Sequence, residues 1–144
     1  MSDQVPTTDA NLLAQFSQMY RTAIDSFMES VGMFRGQAFV LCQVVKQGGM
    51  TQSEIAEALS VQGATITNML KKMEEASLIT RQRDPQDNRL VRVHATDAGM
   101  KLEISITEQL QSLENSILAG VSEPDRAVLR RVVWQMIGNM DKSG

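Results

Sequence analysis

Thr51-Gln52-Ser53-Glu54-Ile55-Ala56-Glu57-Ala58-Leu59, Ser60-Val61-Gln62-Gly63 and Ala64-Thr65-Ile66-Thr67-Asn68-Met69-Leu70-Lys71-Lys72-Met73-Glu74-Glu75-Ala76 follow one another without a break. Thr51 and Glu54 have the spacing of a capping box, in which a hydroxyl accepts from the backbone three residues on and a carboxylate reaches back. The helix opened there, Ser53 to Leu59, is too short to persist without packing. Ser60 to Gly63 supplies a turn, and a second helix runs from Gly63 to about Ala76. In it Ile66, Met69, Leu70 and Met73 recur at i, i+3, i+4 and i+7 and share one face. A short helix, a tight turn containing glycine and a longer helix predict a helix-turn-helix.

The face of the second helix opposite the apolar stripe carries Ala64, Asn68 and Lys71, flanked by Thr65, Thr67 and Lys72 and preceded by Gln62. Small and hydrogen-bonding residues at the N-terminal end, with lysines one to two turns later, suit a recognition helix lying in the major groove of double-stranded DNA. Asn68 has the paired donor and acceptor that match adenine, and a threonine can bond base edges or touch a thymine methyl. The lysines are expected on phosphates, which position a protein without reading sequence. A polar helix face is by itself commonly only a solvated one. Here, however, it precedes Ile79 to Arg83 and Leu90 to Ala95, joined by Asp84-Pro85-Gln86-Asp87-Asn88. Val91, Val93 and Ala95 alternate with Arg92 and His94, the period of a half-buried strand, and proline and Asx residues make the turn. This predicts a β-hairpin wing bearing Arg81, Arg83, Arg89 and Arg92. Arg89, beside the tip, is placed for a narrow minor groove, with Asp87 two residues earlier to orient it.

Outward from this core lie long amphipathic helices. Leu12, Phe16, Met19, Tyr20, Ala23, Phe27 and Val31 step by three or four between about Asp9 and Val31. A shorter helix, Gly36 to Gln47, closes on Gly48-Gly49. Ile106, Leu110, Leu113 and Ile117 form a coiled-coil-like seam. Ser122-Glu123-Pro124-Asp125 opens a last helix striped by Leu129, Val132, Val133, Met136, Ile137 and Met140. Continuous apolar stripes on terminal helices call for a second copy, with two-fold symmetry the default. The expected fold is mainly α with a small β-hairpin wing. Residues 1–32 and 97–144 are expected to be dimerisation helices, around a winged helix-turn-helix DNA-binding domain at 33–96.

The net charge of −3 conceals an asymmetry. Met33 to Thr96 holds eight Lys or Arg against six Asp or Glu, a net +2, while the remainder holds six against eleven, a net −5. The local patch, not the total, meets phosphates. No stretch has the apolar length of a membrane span and the N-terminus lacks the pattern of a secretory signal, so a cytoplasmic protein is expected. One cysteine, Cys42, precludes an internal disulfide, and the single histidine, His94, has no companion for a metal site. No cofactor and no enzyme activity are expected, because no nucleophile, base and orienting acid form a set.

The run from Thr51 to Leu59, the run from Ala64 to Glu74 continuing through Leu78-Ile79-Thr80-Arg81, the wing Asp84-Pro85-Gln86-Asp87-Asn88-Arg89 and Thr96-Asp97-Ala98-Gly99 together resemble the MarR family. The last two are similar to its D-x-R-R wing signature and its T-x-x-G helix opening. The resemblance covers roughly Met50 to Gly99. It implies a homodimer with interleaved terminal helices, a pseudo-palindromic operator, repression, and release by a small molecule or oxidant. Asn88 stands where the family often has arginine, and Gln62-Gly63 replaces its usual Ser or Asp cap. The implied effector crevice lies between dimer base and DNA-binding lobe, where Phe16, Met19, Tyr20, Met33 and Phe34, with Met28, would take a small apolar or aromatic ligand. Plain core filling is the commoner use of such residues. Cys42, within Phe39-Val40-Leu41-Cys42-Gln43-Val44-Val45, is expected to be a buried hydrophobe and not the sensing thiol that the family places in its first helix. Two other readings are a winged-helix protein–protein module without DNA and a dimerisation domain of an enzyme. Thr65, Thr67 and Asn68 favour DNA over the first, and no residues remain for a catalytic domain in the second.

Overall fold

A computed structural model describes residues 8–143. Within them run α1 (Asp9–Ser30), α2 (Arg35–Lys46), β1 (Met50–Thr51), α3 (Gln52–Leu59), α4 (Gly63–Glu75), β2 (Ile79–Arg83), β3 (Val91–Ala95), α5 (Asp97–Ile117) and α6 (Glu123–Asp141). The chain divides into two compact units, Met1–Glu108 and Gln109–Gly144.

The core of the first unit is Val40, Leu41 and Val44 of α2, Ile55 of α3, Ile66, Leu70 and Met73 of α4, Ile79 and Val93 of the hairpin, and Ile106 of α5, all fully buried. Each such side chain stabilises the fold by roughly 1.5–3 kcal/mol. The helix-turn-helix is built as its spacing predicts. The Glu54 N–H donates to Thr51 Oγ1 at 3.2 Å, and the Thr51 N–H donates to Glu54 Oε2 at 2.8 Å. The turn differs in one respect: its left-handed residue is Ser60 (φ 55°), while Gly63 begins α4.

The sheet has one strand more than the hairpin foreseen. β1 is only two residues long, too short for alternation to mark it, and pairs antiparallel with β3 through Met50↔Val93 and Thr51↔Arg92. The strand order is β1-β3-β2, so β3 is central, and β2 pairs with it from Ile79↔Ala95 to Arg83↔Val91. Thr96 then fastens α5 to the turn after α4. Its hydroxyl donates to the Ser77 carbonyl at 2.6 Å and accepts from the Gly99 N–H at 3.0 Å.

The second unit holds the end of α5 and all of α6. Ser122 caps α6 by accepting from the Asp125 N–H at 3.2 Å. The Arg126 guanidinium donates to the carbonyls of Leu118 at 2.9 Å and Val121 at 3.2 Å. No residue of α6 is buried, and Trp134 and Met140 are 76% and 77% exposed. In the first unit, Met28 is the only buried residue of α1, and Leu12, Phe16, Met19 and Tyr20 are exposed.

Candidate nucleic-acid interface

Gln62, Ala64, Thr65, Thr67, Asn68, Lys71 and Lys72 are all exposed on α4, and Lys71 and Lys72 have no ion-pair partner among the described residues. One of these side chains is tied to a neighbour. The Gln52 Nε2 donates to Thr67 Oγ1 at 2.7 Å, and Thr67 Oγ1 donates in turn to the Gly63 carbonyl at 2.9 Å.

Gln52 was not among the residues singled out from sequence. It and Ser53, at the N-terminus of α3, line a groove shared with Gly63, Ile66 and Thr67 of α4, and another shared with Arg89, Leu90 and Val91 of the wing. The positive end of α3 therefore lies between α4 and the wing, a position that favours a phosphate. The capping box marks where α3 starts, but only the packing shows what flanks it.

The wing is organised by Asp84, a second residue that sequence did not single out. Its carboxylate is buried and accepts from the Gln86 N–H at 2.7 Å, the Asp87 N–H at 3.1 Å and the Arg92 guanidinium. Arg92 also donates to the Gly49 carbonyl at 2.8 Å, joining the hairpin to the turn before β1. Arg81 is held by Glu74 of α4 at 3.0 Å. All four wing arginines were expected at the DNA; in the structure Arg81 and Arg92 are half-buried and each pairs with a carboxylate on an adjoining element or turn. Arg83 crosses the hairpin to the Asn88 carbonyl at 2.7 Å and stays exposed. Arg89 is 89% exposed and grips Asp87 in bidentate fashion, at 3.0 and 3.1 Å.

These pairs set the titration of the wing. The Arg92 hydrogen bond, followed by the two backbone N–H groups, holds the Asp84 carboxyl below its ordinary value, and Arg89 does the same for Asp87. A carboxylate depressed in the folded state adds stability above its unfolded pKa and loses it as pH falls through the folded one. The thermal midpoint of the wild type should therefore exceed that of Asp84→Asn at neutral pH, with the gap closing below roughly pH 4. A gap independent of pH would remove the charge from that role.

A cavity of about 760 Å³ opens where α1 meets α2, lined by Asp25, Met28, Glu29, Met33, Phe34 and Arg35 among others. Asp25 and Arg35 pair across it at 2.6 Å. Of the six residues expected in an effector crevice, Met28, Met33 and Phe34 line this cavity. Phe16, Met19 and Tyr20 do not; they lie farther back on α1, where Phe16 stacks on Tyr20 with centroids 5.8 Å apart. Cys42 is half-buried, and burial, followed by the Glu103 charge, pushes its thiol up, the opposite of what a reactive thiolate needs. His94 is half-buried against the turn of Gly48 and Gly49. Among the described residues no His, Cys, Asp and Glu cluster is placed to hold a metal ion, and no helix is long and apolar enough to cross a membrane.

A helix-turn-helix packed on a three-stranded sheet whose hairpin stands beside the second helix defines the winged helix-turn-helix class. The MarR family model matches residues 35–91, from α2 to the first residue of β3. The HTH-type transcriptional regulator YdgJ of Bacillus subtilis is 25% identical over 133 residues, covering 92% of this chain and 81% of its own. The HTH-type transcriptional repressor MdtR of the same organism is 34% identical over 89 residues, 62% of this chain and 57% of its own. The crystal structure of the S. aureus MepR–DNA complex superposes with a TM-score of 0.75 at 27% identity, over 92% of this chain and 98% of that one. Over its winged helix-turn-helix the chain is similar to the MarR family.

Proposed function

We infer that this protein is a sequence-specific regulator of transcription that binds double-stranded DNA as a homodimer, represses from a pseudo-palindromic operator, and is released by a small-molecule effector. The observation that carries this is the joint exposure of the α4 polar face and of Arg89 on either side of the α3 N-terminus. Asn68 and the two threonines address base edges, Lys71 and Lys72 the phosphates, and Arg89 the minor groove. Arg81 and Arg92, with Glu74 and Asp84, hold the wing in place. Residues 33–96 bind DNA, and residues 1–32 and 97–144 dimerise. The naming of MdtR as a repressor and the DNA-bound form of MepR support this reading. The cavity between α1 and α2 takes the effector, an apolar or aromatic molecule. The protein acts in the cytoplasm and is not an enzyme.

Fluorescence anisotropy tests this with the duplex upstream of the protein's own gene and a scrambled duplex, each at two salt concentrations. The expected result is a preference of roughly a thousandfold for the upstream duplex, with affinity falling steeply as salt rises. Arg89→Ala should weaken binding to that duplex roughly tenfold to a hundredfold while leaving the fold unchanged. Unchanged affinity in that variant would take Arg89 out of the groove. A folded protein that binds neither duplex would instead be a protein–protein module, its wing facing an acidic partner.

A further inference from the structure

A threonine hydroxyl has one hydrogen to donate and two lone pairs. In Thr67 the hydrogen goes to the Gly63 carbonyl one turn back, and a lone pair receives the Gln52 carboxamide from α3. The first bond is a common one for a helical threonine. The second comes from another helix, fifteen residues away in the chain, and fixes the rotamer. Thr67 is nevertheless exposed, on the flank of α4 that faces the start of α3. Its hydroxyl has no hydrogen left for the acceptors that guanine, adenine and thymine present in the major groove. What remain are one lone pair and the Cγ2 methyl, and of these only the methyl suits a thymine, which presents no donor in that groove.

We propose that Thr67 reads DNA through its methyl group, against the C5-methyl of a thymine, and that Gln52 is the positioning residue that holds it in that orientation. This rests on the DNA-binding reading above. It makes Thr67 different in kind from Thr65, for which the structure records no side-chain hydrogen bond among the described residues, and assigns one thymine per half-site to an apolar contact.

The test uses a duplex selected by the wild-type dimer from a random-sequence library, with each thymine replaced in turn by deoxyuridine, which lacks the C5-methyl. At one thymine per half-site, deoxyuridine should weaken the wild type about fourfold, the effect of one methyl-sized group taken from water. Thr67→Val keeps both methyl-sized branches and should keep that penalty; Thr67→Ser keeps the hydroxyl and should lose it. Gln52→Met, of similar length but without a donor, should shrink the penalty at that thymine alone and leave the others unchanged. Circular dichroism confirms that each variant is folded. The proposal is overturned if folded Thr67→Ser retains the penalty, or if folded Thr67→Val loses tenfold or more on the unmodified duplex, which would make the hydroxyl the reading group. Uniform weakening by Gln52→Met would reduce Gln52 to a structural brace. Failure of the wild type to select any duplex would instead bring down the DNA-binding reading, and this assignment with it.

Discussion

Replacing Gly99 with alanine should unfold the winged-helix unit or leave it barely stable. A Cβ at Gly99 would lie 2.1 Å from the Leu78 carbonyl oxygen and 3.1 Å from its carbon, with Leu41 Cδ1 at 3.3 Å on another side. The first of these is backbone and has no rotamer by which to yield. That carbonyl also accepts the Thr96 N–H at 3.0 Å, so moving it breaks the bond that sets the entry to α5. Overpacking of this kind costs about 1–3 kcal/mol when side chains can adjust and more when backbone must move. Against a total of about 5–15 kcal/mol, that is a large fraction. Chemical denaturation of Gly99→Ala should show a midpoint far below that of the wild type. A change under about 0.5 kcal/mol would mean that α5 enters by another path.

If the protein acts as the homodimer proposed above, Val133→Asp should give a poorly folded monomer that no longer binds the operator. On α6, Leu129, Val133, Ile137 and Met140 recur at steps of four, four and three, and all are exposed in the single chain. A helix with no buried residue of its own has little to hold it in water, and a surface of this size without a partner is unusual. A carboxylate placed in the middle of the stripe would lose its water with no cation guaranteed opposite, a penalty of several kcal/mol. Sedimentation equilibrium reads the assembly, and Trp134, the single tryptophan, gives a second signal as its emission shifts on dilution. If Val133→Asp stays dimeric with unchanged DNA affinity, the interface lies elsewhere, with the exposed apolar side chains of α1 the next surface to test. Linked half-sites are the reason affinity should fall together with assembly.

Local spacing alone determined the helix-turn-helix, the wing and the caps of α3 and α6. The capping boxes, turns and apolar stripes behind them join residues a few positions apart, so the order of residue types already contains the geometry. The MarR resemblance of Met50 to Gly99 was legible for the same reason, since its motifs are local ones. The tertiary structure decided what depends on distant partners. It added β1, two residues too short to alternate but held by β3. It tied Arg92 to Gly49, 43 residues away, and Arg81 to Glu74, partners that the local sequence does not mark. It put Gln52 against Thr67, and it placed the α1–α2 cavity around Met33 and Phe34 but away from Phe16, Met19 and Tyr20. A charged or polar side chain takes whichever partner packing brings within about 3 Å, and no periodicity along the chain encodes that choice.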